Sequence, residues 1–222
     1  MKNFDYKNEN GRSMIEMLGV LAIIGVLSVG GIAGYSKAMM KYKINKTIEQ
    51  ITLIAGNVRS FFAPQRNYGG LMCSNNSEAN DSRCSIIRKA KLIPDEMLTL
   101  TNGKISAITN AFGGDVWISF NERGSGPLDS DGSDHNAFSI TIEGIPEEAC
   151  IELVSQDWSN AQVGAITIDS DGPNYTLKVP ADVNDAIDKC AEIADFSGGN
   201  TKLMFNFDID INSTYWQGFI NP

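Results

Sequence analysis

An uncharged run of twenty residues near the N-terminus constrains this chain more than any other feature. Between Met17 and Ser36 the sequence contains neither a charged residue nor a proline. A helix of that length is about 30 Å long, which matches the hydrocarbon core of a bilayer. The run therefore predicts a helix that can span a membrane.

One carboxylate, Glu16, stands at the start of this apolar run. Carrying a carboxylate to the bilayer centre costs about 2–3 kcal/mol or more, so we expect the chain to provide a cation for it. The polar leader MKNFDYKNEN does not resemble the front of a secretory signal, and no small-x-small cleavage pattern follows the apolar run. Cleavage between Gly11 and Arg12 would instead create a new α-amino group, with Glu16 as the fifth residue of the mature chain. That amine would be the cation and would offset part of the cost of burial.

These residues resemble the start of the type IV pilins and pseudopilins. The resemblance rests on the leader that ends in Gly11 and on the stretch from Arg12 to Leu18 with Glu16 as its fifth residue. In that family a membrane peptidase cuts after the glycine and methylates the new amine, and the glutamate aids docking of a subunit into the growing fibre. The resemblance implies these roles for Gly11, Arg12 and Glu16. Arg12 departs from the family, whose first mature residue is usually Phe, Met or Leu.

Beyond the span, apolar residues recur at intervals of three, four and seven, which indicates a helix with one buried face. The positions are Ile44, Ile48, Ile51, Val58 and Phe62. The simplest geometry is one long helix from about Ser13 to Phe62, ended by Pro64. Within its apolar half, Gly30 and Gly34 form a small-xxx-small pair that allows another helix to approach closely.

Together with the resemblance to the pilins, this pattern implies four segments. Residues 1–11 would be a cleaved leader, residues 12–36 the transmembrane and polymerisation half of the helix, and residues 37–63 the half that packs on the head. Residues 64–222 would form one globular α+β head, which is long enough for a core of its own.

The four cysteines are consistent with an oxidising compartment. Cys73 and Cys84 enclose a polar loop, whereas Cys150 and Cys190 lie in helix-like segments. Of the three possible pairings we favour Cys73 with Cys84 and Cys150 with Cys190, and closing the longer loop would stabilise the fold by about 3–4 kcal/mol. A zinc site is not favoured, because the sequence has no CxxC spacing and its one histidine is His135.

Alternating and periodic patterns predict an antiparallel sheet with helices in the C-terminal region. The predicted strands are Asp115–Asn121, Ala137–Glu143, Ala165–Asp169, Tyr175–Val179 and Lys202–Asp208, and the predicted helices are Pro146–Gln156 and Pro180–Ala194. With the N-terminal helix they give an α+β fold in which a long helix packs on an antiparallel head.

This order of segments resembles the type IVb branch of the pilins. The resemblance rests on Ile108–Gly114, Gly144–Cys150, Pro180–Cys190 and a final aromatic strand, and it is absent for residues 66–93. In that branch the two cysteines within the helices form the disulfide that bounds a variable, surface-exposed region. The resemblance implies that Cys150 and Cys190 bound such a region here.

Enzyme motifs such as GxSxG, HExxH or a phosphate-binding glycine loop are missing from the sequence, so we expect no catalytic site and no cofactor. The net charge of −9 argues against binding of nucleic acid. Asp129, Asp131 and Asp134 could supply oxygen ligands to Ca²⁺, but they lack the distal Glu of an EF-hand loop. Asp-Gly pairs are also ordinary turn residues, so we expect no metal site.

We therefore expect a structural subunit of a type IVb-like pilus that serves adhesion, conjugation or motility. The resemblance implies an inner-membrane precursor with a cytoplasmic leader and a periplasmic head, and afterwards a fibre at the cell surface. The implied partners are other copies of the chain, a prepilin peptidase, an assembly platform and membrane lipid. Two alternatives remain open: a pseudopilin of a type II secretion system, and a signal-anchored binding module that never polymerises.

Overall fold

The computed structural model describes residues 14–65, 68, 71–73, 82–120, 137–170, 173–199 and 201–208. The chain divides into two compact units, residues 1–42 and residues 43–222. Helix α1, Met14–Phe62, begins in the first unit and ends in the second.

The helix α1 is 49 residues long and begins one residue after the predicted start at Ser13. In the second unit it buries one face, which confirms the amphipathic pattern; the buried residues are Ile44, Thr47, Gln50, Ile51, Ile54, Ala55, Val58 and Phe62. Ile48 was expected on this face but lies at its edge and is only half-buried. The helix ends as predicted before Pro64, which has no N–H to continue it.

The other elements of the described chain follow in order. The helices are α2 (Ser82–Lys89), α3 (Glu147–Ser155) and α4 (Val183–Ser197), and short 3-10 turns lie at Asp95–Met97 and Ser159–Ala161. The strands are β1 (Met72–Cys73), β2 (Leu98–Thr101), β3 (Lys104–Ile108), β4 (Val116–Phe120), β5 (Phe138–Ile145), β6 (Val163–Asp169), β7 (Asn174–Lys178) and β8 (Thr201–Phe207).

Six strands form one antiparallel sheet in the order β1-β4-β5-β8-β6-β7, and β2 and β3 form a separate hairpin. All five predicted strands are present with ends shifted by one or two residues. Asp115 lies outside β4 and forms an isolated bridge with Thr109, and Asn121 lies outside the described residues.

Alternation along the strands puts the large apolar side chains on one face of the sheet. Phe138 on β5 stands opposite Phe207 on β8, and their rings stack with centroids 4.6 Å apart. Trp158 packs edge-on against Phe205 at 5.0 Å and donates its indole N–H to the Leu153 carbonyl at 2.7 Å. This face forms the core.

The opposite face of the sheet is polar. The hydroxyl oxygens of Ser119 and Ser139 are 3.0 Å apart and those of Thr167 and Thr176 are 2.9 Å apart, so cross-strand neighbours share hydrogen bonds. Asn206 is buried on this face and donates to the carbonyl of Ala165 at 3.4 Å.

Helix α4 begins and ends later than the predicted Pro180–Ala194. Asp182 caps it by accepting a hydrogen bond from the Asn184 N–H at 2.9 Å, so the preceding residues remain outside the helix. The other end is set by Gly198 in the left-handed conformation at φ 65°. Gly198 and Gly199 therefore form a turn directly after the helix.

Both disulfides have the pairing favoured from the sequence. Cys150 on α3 bonds to Cys190 on α4, and Cys73 on β1 bonds to Cys84. Cys84 lies in the first turn of α2, a short helix that the sequence did not signal.

Candidate assembly surfaces

The part of α1 in the first unit exposes its apolar residues on every side. Each large apolar residue from Met14 to Tyr35 has more than half of its surface exposed, and none of the most apolar stretch is buried. Within the described chain, α1 is the helix that is long and apolar enough to cross a membrane. An apolar surface of this size requires lipid or other protein to cover it.

Glu16 lies in the first turn of α1 and is exposed. A carboxylate is favoured at this end, because the N-terminus of a helix carries a partial positive charge. Gly11 and Arg12, the predicted cleavage and methylation positions, lie outside the described residues.

Helical geometry places Glu16 on the same face of α1 as four glycines. At about 100° per residue, Gly19, Gly30, Gly31 and Gly34 all fall within about 60° of Glu16 around the helix axis. Gly25 falls on the opposite face. A Cβ atom at any of these glycines would meet nothing within 4 Å, so their small size has no packing role inside the subunit.

Two serine hydroxyls in the apolar segment are satisfied within the helix. Ser28 donates to the Ile24 carbonyl at 2.7 Å, and Ser36 donates to the Ile32 carbonyl at 3.0 Å. A hydroxyl bonded in this way does not need water, which suits a lipid or a dry protein environment. Glu16 is then the one charged side chain between Met14 and Ser36.

In the second unit, Arg59 connects the end of α1 to the end of the sheet. Its Nη2 atom is 2.8 Å from Oδ1 of Asp208, and its Nη1 atom donates to the Ala161 carbonyl at 2.8 Å. The guanidinium also lies over the ring of Phe207, 5.5 Å from its centroid. The Tyr68 hydroxyl donates to Oδ2 of Asp208 at 2.5 Å.

Burial and the Asp208 carboxylate together raise the pKa of Tyr68, because both disfavour the phenolate. Arg59 opposes this shift only in part. Tyr68 therefore remains a hydrogen-bond donor throughout the physiological range, and the cluster of Arg59, Tyr68 and Asp208 fixes the end of α1 to the head.

A second contact lies about three and a half turns earlier on α1. Lys46 is 2.9 Å from Oε1 of Glu96 and 3.2 Å from Oε2 of Glu49. The hydrogen bond to Glu96 is the main reason that the pKa of Lys46 is raised, and Lys46 in turn lowers the pKa of Glu96. Both groups are solvated, so this contact orients the segment before β2 more than it stabilises the head.

The segment Ile108–Gly114, one of the type IVb-like motifs, forms a tight turn held by the buried Asn110. Its amide donates to the Glu143 carbonyl at 2.8 Å and accepts from the Phe112 N–H at 2.8 Å. A Cβ on Gly114 would stand only 1.9 Å from the same Glu143 oxygen, so only glycine fits there. Lys43 of α1 lies 5.6 Å from the ring centroid of Phe112.

The weak calcium candidates Asp129, Asp131 and Asp134 lie outside the described residues, as does His135. Among the residues that are described, no three His, Cys, Asp or Glu side chains are grouped as metal ligands would be.

The chain, with its apolar helix and its disulfide-bonded antiparallel head, matches a known protein family over most of its length. The sequence profile described as "PilS N terminal" matches residues 41–206, well over half of the chain. The chain belongs to the PilS family of type IVb pilins. As a pilin it is a structural subunit and not an enzyme.

Two curated relatives agree with this assignment. The major structural subunits of bundle-forming pilus from Escherichia coli O127:H6 (strain E2348/69 / EPEC) and from Escherichia coli O111:H- are each 26% identical over 165 residues. The alignment covers 73% of this chain and 72% of each relative. The solved type IVb pilin from Salmonella typhi is 15% identical, with a TM-score of 0.47 over 74% of this chain and 99% of its own.

Membership of a pilin family implies self-polymerisation, with a membrane location followed by one in a surface pilus. The sequence predicted this family and the α+β class correctly. It did not predict the Arg59–Asp208 pair, whose members are 149 residues apart.

Proposed function

We propose that this pilin is made as a prepilin in the inner membrane, with its leader in the cytoplasm and its head in the periplasm, and that a prepilin peptidase cleaves it after Gly11 and methylates Arg12. The mature subunit then passes through an inner-membrane assembly platform into a type IVb pilus used for adhesion, conjugation or motility. Its curated relatives, named as major subunits of bundle-forming pilus, support this assignment.

The observation that carries the proposal is the exposed apolar surface of α1 with Glu16 at its start. Before assembly, lipid covers residues 12–36. In the fibre, the same residues of neighbouring copies cover one another at the fibre axis, while the heads, residues 64–222, form the outer surface. Residues 37–63 connect the two by packing on the head of their own subunit.

Glu16 has a defined role in this scheme. As a subunit leaves the bilayer, its carboxylate pairs with the N-terminal amine of a neighbouring subunit, and the pair offsets the cost of burying either charge alone. Gly19, Gly30 and Gly34 share the face of Glu16, so the neighbouring helix can approach closely where the ion pair forms.

The head contributes the surface that other molecules meet. The Cys150–Cys190 disulfide joins α3 to α4 and bounds the region 150–190, which we assign as the variable, exposed part of the fibre. The Cys73–Cys84 disulfide fastens α2 to β1 at the opposite edge of the sheet.

The intact mass of the protein in sheared surface fibres tests the proposal. The expected chain begins at Arg12, with or without one methyl group, and is four hydrogens lighter than its reduced form because of two disulfides. A full-length chain that still carries residues 1–11 would overturn the proposal in favour of a signal-anchored binding module. A processed chain found only in short periplasmic fibres would favour a pseudopilin.

A further inference from the structure

Four long side chains with polar ends lie where the apolar run of α1 stops. Tyr35 and Tyr42 are 66% and 60% exposed, and Lys37 and Lys41 between them are exposed as well. The two lysines are about 6 Å apart along the helix axis, whereas the two tyrosines are about 10 Å apart. The polar layer on each side of a bilayer's hydrocarbon core is about 5–8 Å thick. We call these four residues the interfacial belt, because the lysines fit within such a layer and the tyrosines lie at its two edges.

The interfacial belt has its lysines and its tyrosines on different sides of the helix. At about 100° per residue, Lys37 and Lys41 lie about 40° apart around the axis, and Tyr35 and Tyr42 lie about 20° apart. The two pairs are about 130° from each other. Tyrosine is enriched at membrane surfaces because its ring is apolar and its hydroxyl is polar. One side of the belt therefore suits the boundary of the hydrocarbon core, and the other side presents two positive charges at the same depth.

The position of the interfacial belt agrees with the length of the span. Glu16 and Lys37 are 21 residues apart in one continuous helix, which corresponds to about 32 Å. The hydrocarbon core of a bilayer is about 30 Å thick. When Lys37 lies at one membrane surface, Glu16 lies at the other, and neither charge has to enter the core.

The next two lysines along α1 already have contacts within the head. Lys43 lies over the ring of Phe112, and Lys46 pairs with Glu96. Lys37, by contrast, is exposed and joins no ion pair with a described residue. Most acidic residues of the chain follow residue 42, and the net charge is −9, so an anionic surface repels the head. The lysines of the belt are therefore the place beside the span where this chain attracts an anionic surface.

We propose that Lys37 and Lys41 bind the phosphate groups of anionic phospholipids at the periplasmic surface of the inner membrane. This inference rests on the proposed function, which puts the head in the periplasm. The ammonium group of a lysine is a compact charge on a flexible stem, so it can follow a mobile phosphate group. A lysine next to a span raises the affinity for an anionic membrane surface severalfold.

The lipid contact sets the height of the subunit before assembly. With Lys37 and Lys41 at the phosphates of the outer leaflet, the length of the helix holds Glu16 at the opposite surface of the membrane. The N-terminal amines of neighbouring subunits lie at that same surface in the proposed arrangement. A subunit that enters the fibre leaves these lipids, so the contact belongs to the membrane form and not to the fibre.

Photo-crosslinking of the full chain in lipid vesicles tests the contact. The vesicles contain phosphatidylcholine and phosphatidylglycerol, with a trace of phosphatidylglycerol that carries a photoreactive group on its headgroup. Chymotrypsin cuts after Tyr35 and Tyr42, so residues 36–42 are released as one peptide from every variant. The probe is expected to label this peptide in wild type about tenfold more strongly than in Lys37→Gln with Lys41→Gln. The same photoreactive group on phosphatidylcholine is expected to label it weakly in both proteins.

Two further double variants separate the lipid contact from a general effect of charge. Lys89→Gln with Lys91→Gln is the matched control, because it removes two exposed lysines from the second unit and should label like wild type. Lys37→Arg with Lys41→Arg keeps both charges and should also label like wild type. A loss of labelling in the first of these variants would mean that net charge, and not the position of the lysines, controls the contact, and would overturn the proposal.

The remaining outcomes distinguish this inference from the proposed function. Equal labelling by the two lipid probes, or an undiminished signal in the glutamine variant, would overturn the lipid contact and leave the proposed function standing. Loss of labelling when soluble glycerol phosphate is added would indicate a site for free phosphate and would also overturn it. A wild-type chain that does not insert into the vesicles would overturn both the lipid contact and the membrane stage of the proposed function.

Discussion

Arg59, in the last turn of α1, is paired with Asp208, which follows the last strand of the head. They are 149 residues apart in sequence, yet Nε and Nη2 of Arg59 contact the same carboxylate at 3.1 and 2.8 Å. Both side chains are mostly buried, with 22% and 24% of their surface exposed. A forked, partly desolvated contact of this kind is stronger than a surface ion pair.

Replacing Arg59 by lysine should therefore weaken the head although the charge is kept. A lysine cannot contact Asp208 and the Ala161 carbonyl together, so we expect the free energy of unfolding to fall by about 1–2 kcal/mol. Urea unfolding of the full chain in detergent would measure the loss. Lys189→Met is the control, because its pair with the half-exposed Glu192 should contribute little. Equal stability of the Arg59 variant and wild type would contradict a structural role for the contact.

Tyr68 makes the stability contributed by this cluster depend on pH in the alkaline range. Its pKa is raised in the folded protein above the ordinary value of 10.0, so the unfolded chain loses the phenolic proton first as the pH rises. The stabilisation is therefore fully present below about pH 10 and is lost as the pH rises above that value. Between pH 9 and pH 11 we expect the melting temperature of wild type to fall more steeply than that of Tyr68→Phe. Parallel curves for the two proteins would show that Tyr68 does not titrate with the unfolding.

Gly114 is expected to tolerate no side chain. A Cβ there would lie 1.9 Å from the Glu143 oxygen, and the obstacle is backbone that cannot rotate away. Gly114→Ala should therefore lower the free energy of unfolding by about 2–3 kcal/mol or more. Gly56→Ala is the matched control, because a Cβ in this helical position meets nothing within 4 Å and alanine should stabilise the helix by about 1 kcal/mol. Chemical denaturation of both variants checks the opposite signs.

The parts of this fold that the sequence could predict are those with a local pattern. The span of α1 and the five longer strands have local periodicities, so they were predicted to within a few residues. Helix α2 and the two-residue strand β1 are too short to show a period. Asn102 and Gly103, at φ 53° and 73°, form the turn of the β2–β3 hairpin. An Asn-Gly pair is typical of such turns, but the two short strands beside it were not predicted.

The contacts that hold the candidate surfaces in place could not be predicted in the same way. The requirement for glycine at 114 comes from Glu143 on a strand that only the folded chain brings near. The Arg59–Asp208 pair likewise depends on the sheet order. By contrast, Glu16 could be proposed as a candidate from the sequence alone, because one charge in an apolar helix stands out without any tertiary information.

Glu16→Ala should separate processing from assembly. The variant is expected to lose its leader normally, because the cleaved bond lies five residues earlier in the sequence. Its fibre yield should fall strongly, because a neighbouring N-terminal amine would be buried without a counter-charge. Intact mass of the membrane form and sheared fibre yield measure the two steps. Glu49→Ala, at an exposed position in the second unit, is the control, and normal fibres from the Glu16 variant would argue against a docking role.

Because Glu16 and several glycines share one face of α1, a larger side chain should impair fibre assembly more on that face than on the opposite face. Gly30→Leu should reduce fibre yield severalfold or more, since the larger side chain would separate helices on the face that carries the ion pair. Gly25→Leu makes the same chemical change on the opposite face of the same helix. Because both changes remove a glycine from the helix, their effects on helix stability should cancel in the comparison.

Sheared fibre yield, divided by the amount of processed subunit in the membrane, measures this difference. A larger loss for Gly30→Leu than for Gly25→Leu means that neighbouring copies meet on the Glu16 face. Equal losses would mean that both faces are equally crowded in the fibre core, and a larger loss for Gly25→Leu would place the closest helix contact opposite Glu16. In that last case the carboxylate would have to reach its amine partner across a wider gap, and the pairing of Glu16 with a closely packed neighbour would be wrong.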